Sequence, residues 1–536
     1  MRRPEHGVVW QPLVASELTK LGAIVAFALL VRVALFIGYQ GFDDRTYISY
    51  AWLFAQGGSI VDAKLLDHWA GRVGAWGPIA VAIKLFGVTE WALCLPSLVA
   101  SLLTFVVLFV LGRQLFGSRV ALWSAALLTV LPLDVFYATR AYADEALGLF
   151  AVAGFTAFLF AIFGRVASPA LIAGLLVGIG YTIKETSVLI AIPFLLILLQ
   201  YRVFPLRALG AMLAGFLIAL SLEVAFWQLA TGDALYRVHA LSAMRHDMPP
   251  PPKAINSVWD WIPGPVPAEV LRSNNSLLDA ALVFLTKADW GLLYYFVFPI
   301  AVGRLWSADP GRKMLAIFVL SMTAVLAFFP VSFPHYTLQR DPRYFTVISV
   351  PALLLFTDWA LSLRRGGRFL TVGTLVSSWI VCLYLGWASS SIDVDRAFAA
   401  YVRKEANETV WMSNLDASNA IILSGFDPTL NIGILAPPGA RASGRPDEIK
   451  SSPNRAMKPG APVALTALEL KNQLVAISDG SPGDERWTLV GTFSGKKSRM
   501  GLHVQDLLSA LGVPQSMVDK VAPSQGKRIR LYRTAS

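Results

Sequence analysis

Charged side chains are scarce in this chain. Only 15% of its 536 residues are charged, whereas 55% are hydrophobic. An average soluble domain has about 25% charged residues. Most of the chain therefore cannot face water, which excludes an ordinary soluble protein, and a lipid bilayer is the solvent that fits its composition.

Cysteine is nearly absent as well. The two cysteines, Cys94 and Cys382, both lie in apolar stretches, where a single thiol behaves as a small hydrophobic group. Neither a disulfide framework nor a cysteine-based metal site is therefore available. The sequence also has no P-loop, HExxH or GxSxG motif and no repeat of solenoid period, so none of these signatures assigns a fold or a reaction.

Basic runs interleaved with aromatic residues, the pattern of nucleic-acid binding, are missing although the formal net charge is +11. Lysine and arginine instead cluster in short stretches between apolar segments, which is the distribution expected of membrane-protein loops. We therefore expect membrane lipids, and no nucleic acid, as partners.

Apolar segments long enough to cross a bilayer recur from Leu21 to Trp387. We predict about eleven transmembrane helices, at 21–39, 92–112, 120–136, 146–163, 169–182, 187–201, 208–230, 290–303, 314–330, 344–361 and 371–388. The first follows Arg2 and Arg3, is too long for the apolar core of a typical signal peptide and has no clear cleavage site after it. We expect it to be retained as a signal anchor.

The loops differ in charge in a way that orients the chain. Every predicted loop on the same side as the N-terminal segment 1–20 carries lysine or arginine, as the positive-inside rule requires of cytoplasmic loops. An odd number of spans then places two long loops, 40–91 and 231–289, on the other side together with the C-terminal region 389–536. We expect residues 21–388 to form a transmembrane catalytic domain whose chemistry is extracytoplasmic.

Two parts of the predicted extracytoplasmic region have structure of their own. The short apolar piece Trp76–Phe86 predicts a helix that lies in the membrane interface. Beyond about Ser391 the composition becomes polar, and we predict a small soluble α/β domain at 389–536. Its β-like runs are Thr409–Met412, Ala420–Leu423, Val463–Thr466, Trp487–Phe493 and Arg528–Tyr532. The fold class is therefore a polytopic α-helical membrane protein with a C-terminal soluble domain.

Adjacent acidic residues follow the first predicted span. Asp43 and Asp44 lie next to each other just beyond it, and carboxylates at a membrane surface cost solvation unless something uses them. They are equally compatible with a solvated loop whose acids cap the helix that Thr46–Gln56 predicts. The pair alone leaves both interpretations open.

A second acidic pair, Asp144 and Glu145, follows Arg140 in a short predicted extracytoplasmic loop. Asp144 has an ordinary alternative as the N-cap of the next span, although capping and a role in the site are compatible. Lys184 lies at another predicted extracytoplasmic end, where it suits a lipid phosphate. It is equally compatible with a snorkelling lysine in a helical hairpin turn.

Arginines also occur where the topology disfavours them. Arg340 and Arg343 lie in the predicted extracytoplasmic stretch between the ninth and tenth spans, and arginine matches phosphate oxygens well. Arg32 and Glu223 lie inside predicted spans and need partners there. They could pair with loop charges near the site, or serve the structure alone.

These elements occur in an order that resembles a known family. In chain order they are the N-terminal anchor, Asp43-Asp44-x-x-Tyr47, Gly74-Ala-Trp-Gly-Pro78, Leu85-Phe-Gly87 before Glu90, Arg140-x-x-x-Asp144 and Lys184. Over about residues 20–360 the sequence is similar to GT-C glycosyltransferases of the protein O-mannosyltransferase and lipid A aminoarabinose transferase group, also called glycosyltransferase family 39-like proteins. The resemblance implies a multi-pass enzyme of the inner (plasma) membrane with a periplasmic, extracytoplasmic active site.

The resemblance also implies a reaction. A hexosyl or pentosyl group would pass from a polyprenyl-phosphate sugar to a hydroxyl group of a lipid, glycan or protein. Asp43 would be the general base and Asp144 would orient the acceptor or an arginine, while Lys184, Arg340 and Arg343 would bind the donor phosphate. We expect supporting roles for Asp44, Tyr47, Arg140, Glu145 and His335. No metal site is predicted, because His335 alone does not make a set of metal ligands. If a divalent ion is used, Asp144 would help to hold it.

Two other classes of protein stay open. A lipid or glycan transporter or flippase would also have many spans and intramembrane charges, but its halves should show matching broken helices or inverted repeats, which this sequence lacks. A membrane scaffold would use the C-terminal domain for binding. Neither class explains why acids and bases gather in the predicted extracytoplasmic loops.

Overall fold

The computed structural model describes residues 14–41, 43–58, 68–164, 166–201, 206–247, 291–328, 330–332, 336–337, 342–388, 392–404, 408–435, 473–478, 488–494, 509–510, 512 and 528–534. The chain forms two compact units. Unit 1 comprises residues 1–36, 66–75 and 95–385, and unit 2 comprises 37–65, 76–94 and 386–536.

Helices make up most of the described chain. They are α1 Ala15–Ala34, α2 Asp43–Ala55, α3 Val73–Phe86, α4 Glu90–Phe116, α5 Ser118–Leu128, α6 Pro132–Ala138, α7 Asp144–Gly164, α8 Ala167–Ile183, α9 Ala191–Tyr201, α10 Leu206–Thr231, α11 Tyr236–Asp247, α12 Leu293–Arg304, α13 Pro310–Phe328, α14 Thr346–Ser362, α15 Arg364–Ala388, α16 Asp393–Lys404 and α17 Asn414–Leu423. Short 3₁₀ helices cover Glu185–Ile190 and Pro342–Phe345.

Five of the described helical segments are long and apolar enough to cross a membrane. They are Glu90–Phe116, Asp144–Gly164, Leu206–Thr231, Pro310–Ala327 and Pro342–Ser362. The pair α5 and α6 is a sixth candidate if it counts as one span. Each of the predicted apolar segments overlaps a helix, because a segment in lipid must satisfy its backbone hydrogen bonds internally. Eleven as the number of crossings stays a prediction.

The predicted span 120–136 differs from a simple helix. It is broken into α5 and α6, which meet at an angle of 57°. Pro132 begins α6 and has no backbone N–H to continue a helix from the preceding turn. The break gives Asp134, in the first turn of α6, a buried position inside unit 1.

Close helix packing in unit 1 depends on small residues. A Cβ atom at Gly174 of α8 would overlap the carbonyl oxygen of Met212, and one at Gly215 of α10 would overlap the carbonyl oxygen of Leu171. The backbones of α8 and α10 therefore approach to a distance that only glycine allows, which is a common way of joining helices in lipid.

Unit 2 contains a five-stranded mixed sheet. Its strands lie in the order β4 (Ile432–Leu435), β3 (Val410–Ser413), β5 (Leu474–Ser478), β7 (Arg528–Arg533) and β6 (Thr488–Ser494). β3 pairs in parallel with β4 and β5, and β7 pairs antiparallel with β5 and β6. Its apolar core includes Val410, Val475 and Leu531 of the sheet and Phe398 of α16. The smaller ribbon β1–β2 joins Pro330–Ser332 and Tyr336–Thr337.

The strand predictions have mixed outcomes. Thr409–Met412, Trp487–Phe493 and Arg528–Tyr532 coincide with strands to within a residue or two. Ala420–Leu423 is wrong as a strand because it completes α17, whose N-terminus is capped by Ser413: the Asp416 N–H donates to the Ser413 hydroxyl (3.1 Å). Val463–Thr466 lies outside the described residues.

Residues from the predicted first loop pack within unit 2 against the C-terminal elements. The Tyr39 hydroxyl donates to Asn419 Oδ1 (2.8 Å), and Arg396 forms an ion pair with Glu90 (2.8 Å). The rings of Trp52 and Phe426 stack with centroids 4.5 Å apart. A separate domain at 389–536 on the extracytoplasmic side stays a prediction, as does the interfacial position of Trp76–Phe86, which lies within α3.

Candidate active site

The Asp43-Asp44 pair begins α2 in unit 2. Gly41 has a φ of +83°, a conformation that favours glycine, and it turns the chain into the helix. Asp44 is 0% exposed, and its Oδ2 accepts a hydrogen bond from the Gln40 N–H (3.0 Å). Asp43 keeps a partly exposed side chain at the helix N-terminus, where the helix dipole favours a carboxylate. The two acids thus have different environments, and Asp43 is the more exposed of the two.

Tyr47 and Tyr39 form the buried surroundings of this turn. Both are almost completely buried in unit 2. The Tyr39 N–H donates to Glu90 Oε1 (3.0 Å). These contacts fix the segment that leads from α1 to Asp43.

In unit 1, Asp144 and Lys184 form a buried ion pair. Asp144 begins α7, and Lys184 lies at the break between α8 and the following 3₁₀ helix, where its φ of −157° ends the helical backbone. Lys184 Nζ lies 2.6 Å from Asp144 Oδ1. Lys184 is 4% exposed and Asp144 is 1% exposed. Lys184 Nζ also lies 3.8 Å from the ring centroid of Tyr344.

Burial and neighbouring cations act together on Lys184. Desolvation is the largest effect and lowers its pKa to about 8 against the raising influence of Asp144, and the charges of Arg343 and Arg72 lower it further. The Lys184 ammonium group therefore lies among like charges. An anion bound at this place would relieve their repulsion.

Arg140 and Arg343 approach the same tyrosine. Arg140 Nη2 donates to the Tyr142 hydroxyl (3.0 Å), and the guanidinium carbon lies 4.2 Å from the ring centroid of Tyr142. Arg343 lies 5.0 Å from that centroid and 5.3 Å from that of Tyr344. The Thr346 hydroxyl is placed to donate to the Asp144 carbonyl oxygen (3.1 Å), which joins α14 to the start of α7. Packing of four separate elements thus brings these groups together.

Unit 1 also contains a second group of charges, which was not predicted from the sequence. Arg72 contacts Glu185 through Nη2 (2.8 Å) and Nε (3.0 Å), and Arg237 contacts the other oxygen of Glu185 (3.0 Å). Arg237 also pairs with Glu223 (2.5 Å), which confirms that this buried acid has a partner from beyond its span. Arg72 and Arg237 lie in the predicted extracytoplasmic loops, so the topology argument that singled out Arg343 applies equally to both.

His68, next to Trp69, lies beside Arg72. The ring centroids of His68 and Trp69 are 3.7 Å apart. Burial, followed by the charge of Arg72, lowers the pKa of His68 to about 3. His68 is therefore a neutral imidazole in this site at physiological pH.

Of the two roles left open for Arg32, its partners among the described residues fit the structural one. It contacts Asp134 of α6, donates to the Ser101 hydroxyl (2.8 Å) and donates to the Ala28 carbonyl oxygen (3.0 Å). Asp134 is not among the residues predicted for the site, because it lies inside the apolar segment 120–136, which predicts one unbroken span.

The structure thus brings together Arg140, Asp144, Lys184 and Arg343 in unit 1, while Asp43, Asp44 and Tyr47 belong to unit 2. Glu145 follows Asp144 but lines a separate cavity with Asp134. Arg340 and His335 lie outside the described residues, as does most of the loop 231–289. Within the described ranges, no group of three or more His, Cys, Asp or Glu side chains could hold a metal ion.

Long apolar helices with buried acids and cations at their starts and breaks are features of a polytopic membrane protein. The family model described as dolichyl-phosphate-mannose-protein mannosyltransferase matches residues 73–227, which include Arg140, Asp144 and Lys184. No curated protein sequence matches the chain.

Solved structures with similar coordinates identify the fold. ArnT from Cupriavidus metallidurans in the apo state has a TM-score of 0.56 at 14% identity, with 97% of this chain and 98% of that chain covered. The same protein bound to undecaprenyl phosphate gives a TM-score of 0.55 at 14% identity, with 98% and 99% covered. The predicted resemblance to GT-C glycosyltransferases of the protein O-mannosyltransferase and lipid A aminoarabinose transferase group is therefore confirmed, and the findings indicate a membrane glycosyltransferase.

Proposed function

We propose that this protein transfers a sugar from a polyprenyl-phosphate donor to a hydroxyl group of a lipid, glycan or protein acceptor. The observation that carries the proposal is two clusters of cations in unit 1, around the adjacent residues Lys184 and Glu185. Lys184 pairs with Asp144 and shares the Tyr344 ring with Arg343, which shares the Tyr142 ring with Arg140. Glu185 pairs with Arg72 and Arg237, and Arg237 also pairs with Glu223.

Cations that lie close together in a protein interior repel one another, and an anion bound among them reduces that repulsion. A lipid phosphate carries negative charge in the donor and gains more as the bond to the sugar breaks. Cations that are already held in place, by Glu185 for Arg72 and Arg237 and by Asp144 for Lys184, stabilise that developing charge without reorganisation. Arginine adds a planar pair of donors that matches two phosphate oxygens.

The proposed general base is Asp43. A hydroxyl group is a poor nucleophile at neutral pH, and a carboxylate that removes its proton during attack contributes typically about 10²–10⁴-fold. The oxygen of the acceptor would attack the anomeric carbon while the lipid phosphate leaves with the bonding electrons. Partial exposure of Asp43 supports this role, whereas Asp44 is buried and accepts the Gln40 N–H, which supports a structural role.

The remaining assignments belong to the same proposal. Asp144 orients Lys184, and Arg340 and His335 complete the donor and supporting sites from the stretch that precedes Arg343. The distribution of lysine and arginine along the chain supports a periplasmic, extracytoplasmic active site and a place in the inner membrane.

A lipid-binding and transfer assay separates this proposal from a transporter. Full-length protein in nanodiscs is mixed with a radiolabelled polyprenyl-phosphate sugar and membrane extract as the source of acceptor. We expect label to move into a new product and Arg237→Gln to weaken donor binding. Translocation of the intact labelled lipid across proteoliposomes without a new product would favour the transporter and contradict the proposal.

A further inference from the structure

Glu145 faces a small cavity that the proposed reaction does not use. The cavity has a volume of about 10 Å³, close to what one water-sized particle needs. Among the described residues, it is lined by oxygen-bearing side chains from α4, α6, α7 and α14 together with Gly148, Leu149 and Val350: Thr104, Asp134, Glu145, Thr346 and Ser349. Glu145 is 3% exposed, and its Oε1 has no hydrogen-bond partner in the part of the chain that the structure describes.

The charges around Glu145 do not balance. Arg32 is the described cation whose charge acts on Glu145. It already forms an ion pair with Asp134, whose Oδ1 also accepts a hydrogen bond from the Ser101 hydroxyl (2.5 Å). Asp144 also faces Glu145 and is paired with Lys184. An ionised Glu145 would therefore have no cation of its own among the described residues, and such a charge inside a membrane protein needs a partner.

The hydroxyl groups of the cavity offer lone pairs. Thr104 donates its hydrogen to the Ala100 carbonyl oxygen (2.9 Å), and Thr346 donates to the carbonyl oxygens of Arg343 (3.0 Å) or Asp144 (3.1 Å). Their protons are committed, so what these two side chains can present to the cavity is an acceptor. The Ser349 hydroxyl shares a hydrogen bond with Tyr294, the remaining titratable group that faces Glu145 (2.8 Å).

We propose that this cavity binds one sodium ion, with Glu145 Oε1 as its charged ligand and hydroxyl oxygens of Thr104, Thr346 and Ser349 completing the shell. A single uncompensated carboxylate calls for a monovalent ion, because a divalent ion would leave the cluster with an excess of positive charge. Oxygen ligands suit a hard cation. The cavity volume is at the lower limit for one water molecule, so Na⁺ fits it more easily than K⁺, whose radius is close to that of water.

The bound ion would tie three helices, α4, α7 and α14, together next to Asp144. α7 supplies both Glu145 and Asp144, so that occupancy of the cavity fixes the first turn of the helix that holds the Lys184 partner. Sodium would accordingly act as a structural ion of unit 1, separate from donor and acceptor.

Two measurements on the full-length protein in nanodiscs test the proposal. We expect the thermal unfolding midpoint to rise when choline chloride is replaced by NaCl at constant ionic strength, because a ligand of the native state stabilises it. KCl should give a smaller rise. Equilibrium binding of ²²Na⁺ should reach about one ion per chain, because this cavity has room for one ion.

Variants locate the site. Glu145→Gln removes the charge and should abolish both the sodium-dependent rise and the binding of ²²Na⁺. The matched control is Glu223→Gln, which neutralises another buried acid that is already paired, with Arg237, and should keep the sodium response. If Glu145→Gln does not fold, Thr104→Val keeps the shape and removes one ligand. It should raise the sodium concentration for half-maximal stabilisation about tenfold.

Three results would overturn the proposal. The first is an equal midpoint in NaCl and choline chloride, and the second is sodium binding that survives in Glu145→Gln. The third is a midpoint that changes with pH and not with sodium, which would assign a proton on Glu145 to this place.

Discussion

Replacement of Lys184 by methionine would leave the Asp144 carboxylate buried without the ammonium group that lies 2.6 Å away. Removing one partner of a buried ion pair typically costs about 3–5 kcal/mol, because the remaining charge stays desolvated. Arg343, whose charge reaches Lys184, also faces this place and compensates part of the loss. We therefore expect Lys184→Met to lower the free energy of unfolding by about 3 kcal/mol, the low end of that range.

A double-mutant cycle isolates the pair from the packing of its side chains. Asp144→Asn keeps a side chain that suits the start of α7, and Asp144→Asn with Lys184→Met removes both charges at once. We expect the double variant to be more stable than the sum of the single losses predicts, by about 2 kcal/mol. Denaturant unfolding of the four proteins in the same detergent gives this coupling. If the free-energy losses of the two single variants simply add in the double variant, Asp144 and Lys184 do not stabilise each other and the prediction is wrong.

The same proteins separate stability from donor binding. The double variant should fold but bind a polyprenyl phosphate at least about tenfold more weakly, since a charge-assisted bond to the phosphate is lost. Binding is measured by titration of the labelled lipid into nanodiscs. Unchanged affinity in a folded double variant would remove Lys184 from the proposed phosphate site.

Three shorter predictions concern pH and packing. Donor affinity should fall as the pH rises through about 8, where free Lys184 loses its proton, and Lys184→Arg should shift that loss to higher pH; a flat profile would contradict this. His68, with its pKa lowered to about 3, should show no titration in NMR spectra between about pH 5 and 8. Gly215→Ala should lower the free energy of unfolding by about 1–3 kcal/mol through overlap with Leu171, whereas Gly210→Ala, with open space around it, should not; equal effects would contradict the packing.

Sequence reasoning found those parts of the fold and site that depend on local pattern. The apolar segments predicted helices because lipid offers the backbone no other partner. Asp144 and Lys184 were visible as charges at the ends of such segments, and their contact is confirmed. The sequence shows that Asp43 and Asp44 are adjacent, but it does not predict that Asp44 is buried, because this burial depends on the geometry of the preceding turn.

Other features depend on residues that are distant in the chain. Glu185 pairs with Arg72, 113 positions before it, and with Arg237, 52 positions after it. No periodicity predicts such pairs, because tertiary packing alone brings them together. The strand predicted at Ala420–Leu423 failed for a related reason: β-branched and apolar residues suggested a strand, but the N-cap at Ser413 and burial against the sheet set a helix.

The rate of sugar transfer in two variants, at Asp43 and at Asp44, tests most directly whether Asp43 is the general base. Asp43→Asn and Asp44→Asn are compared with the unaltered protein under single-turnover conditions, with a radiolabelled polyprenyl-phosphate sugar and a saturating acceptor. We expect Asp43→Asn to lower the rate by about 10²–10⁴-fold without loss of donor binding, and Asp44→Asn mainly to lower thermal stability. Transfer at an unchanged rate in Asp43→Asn would contradict this expectation.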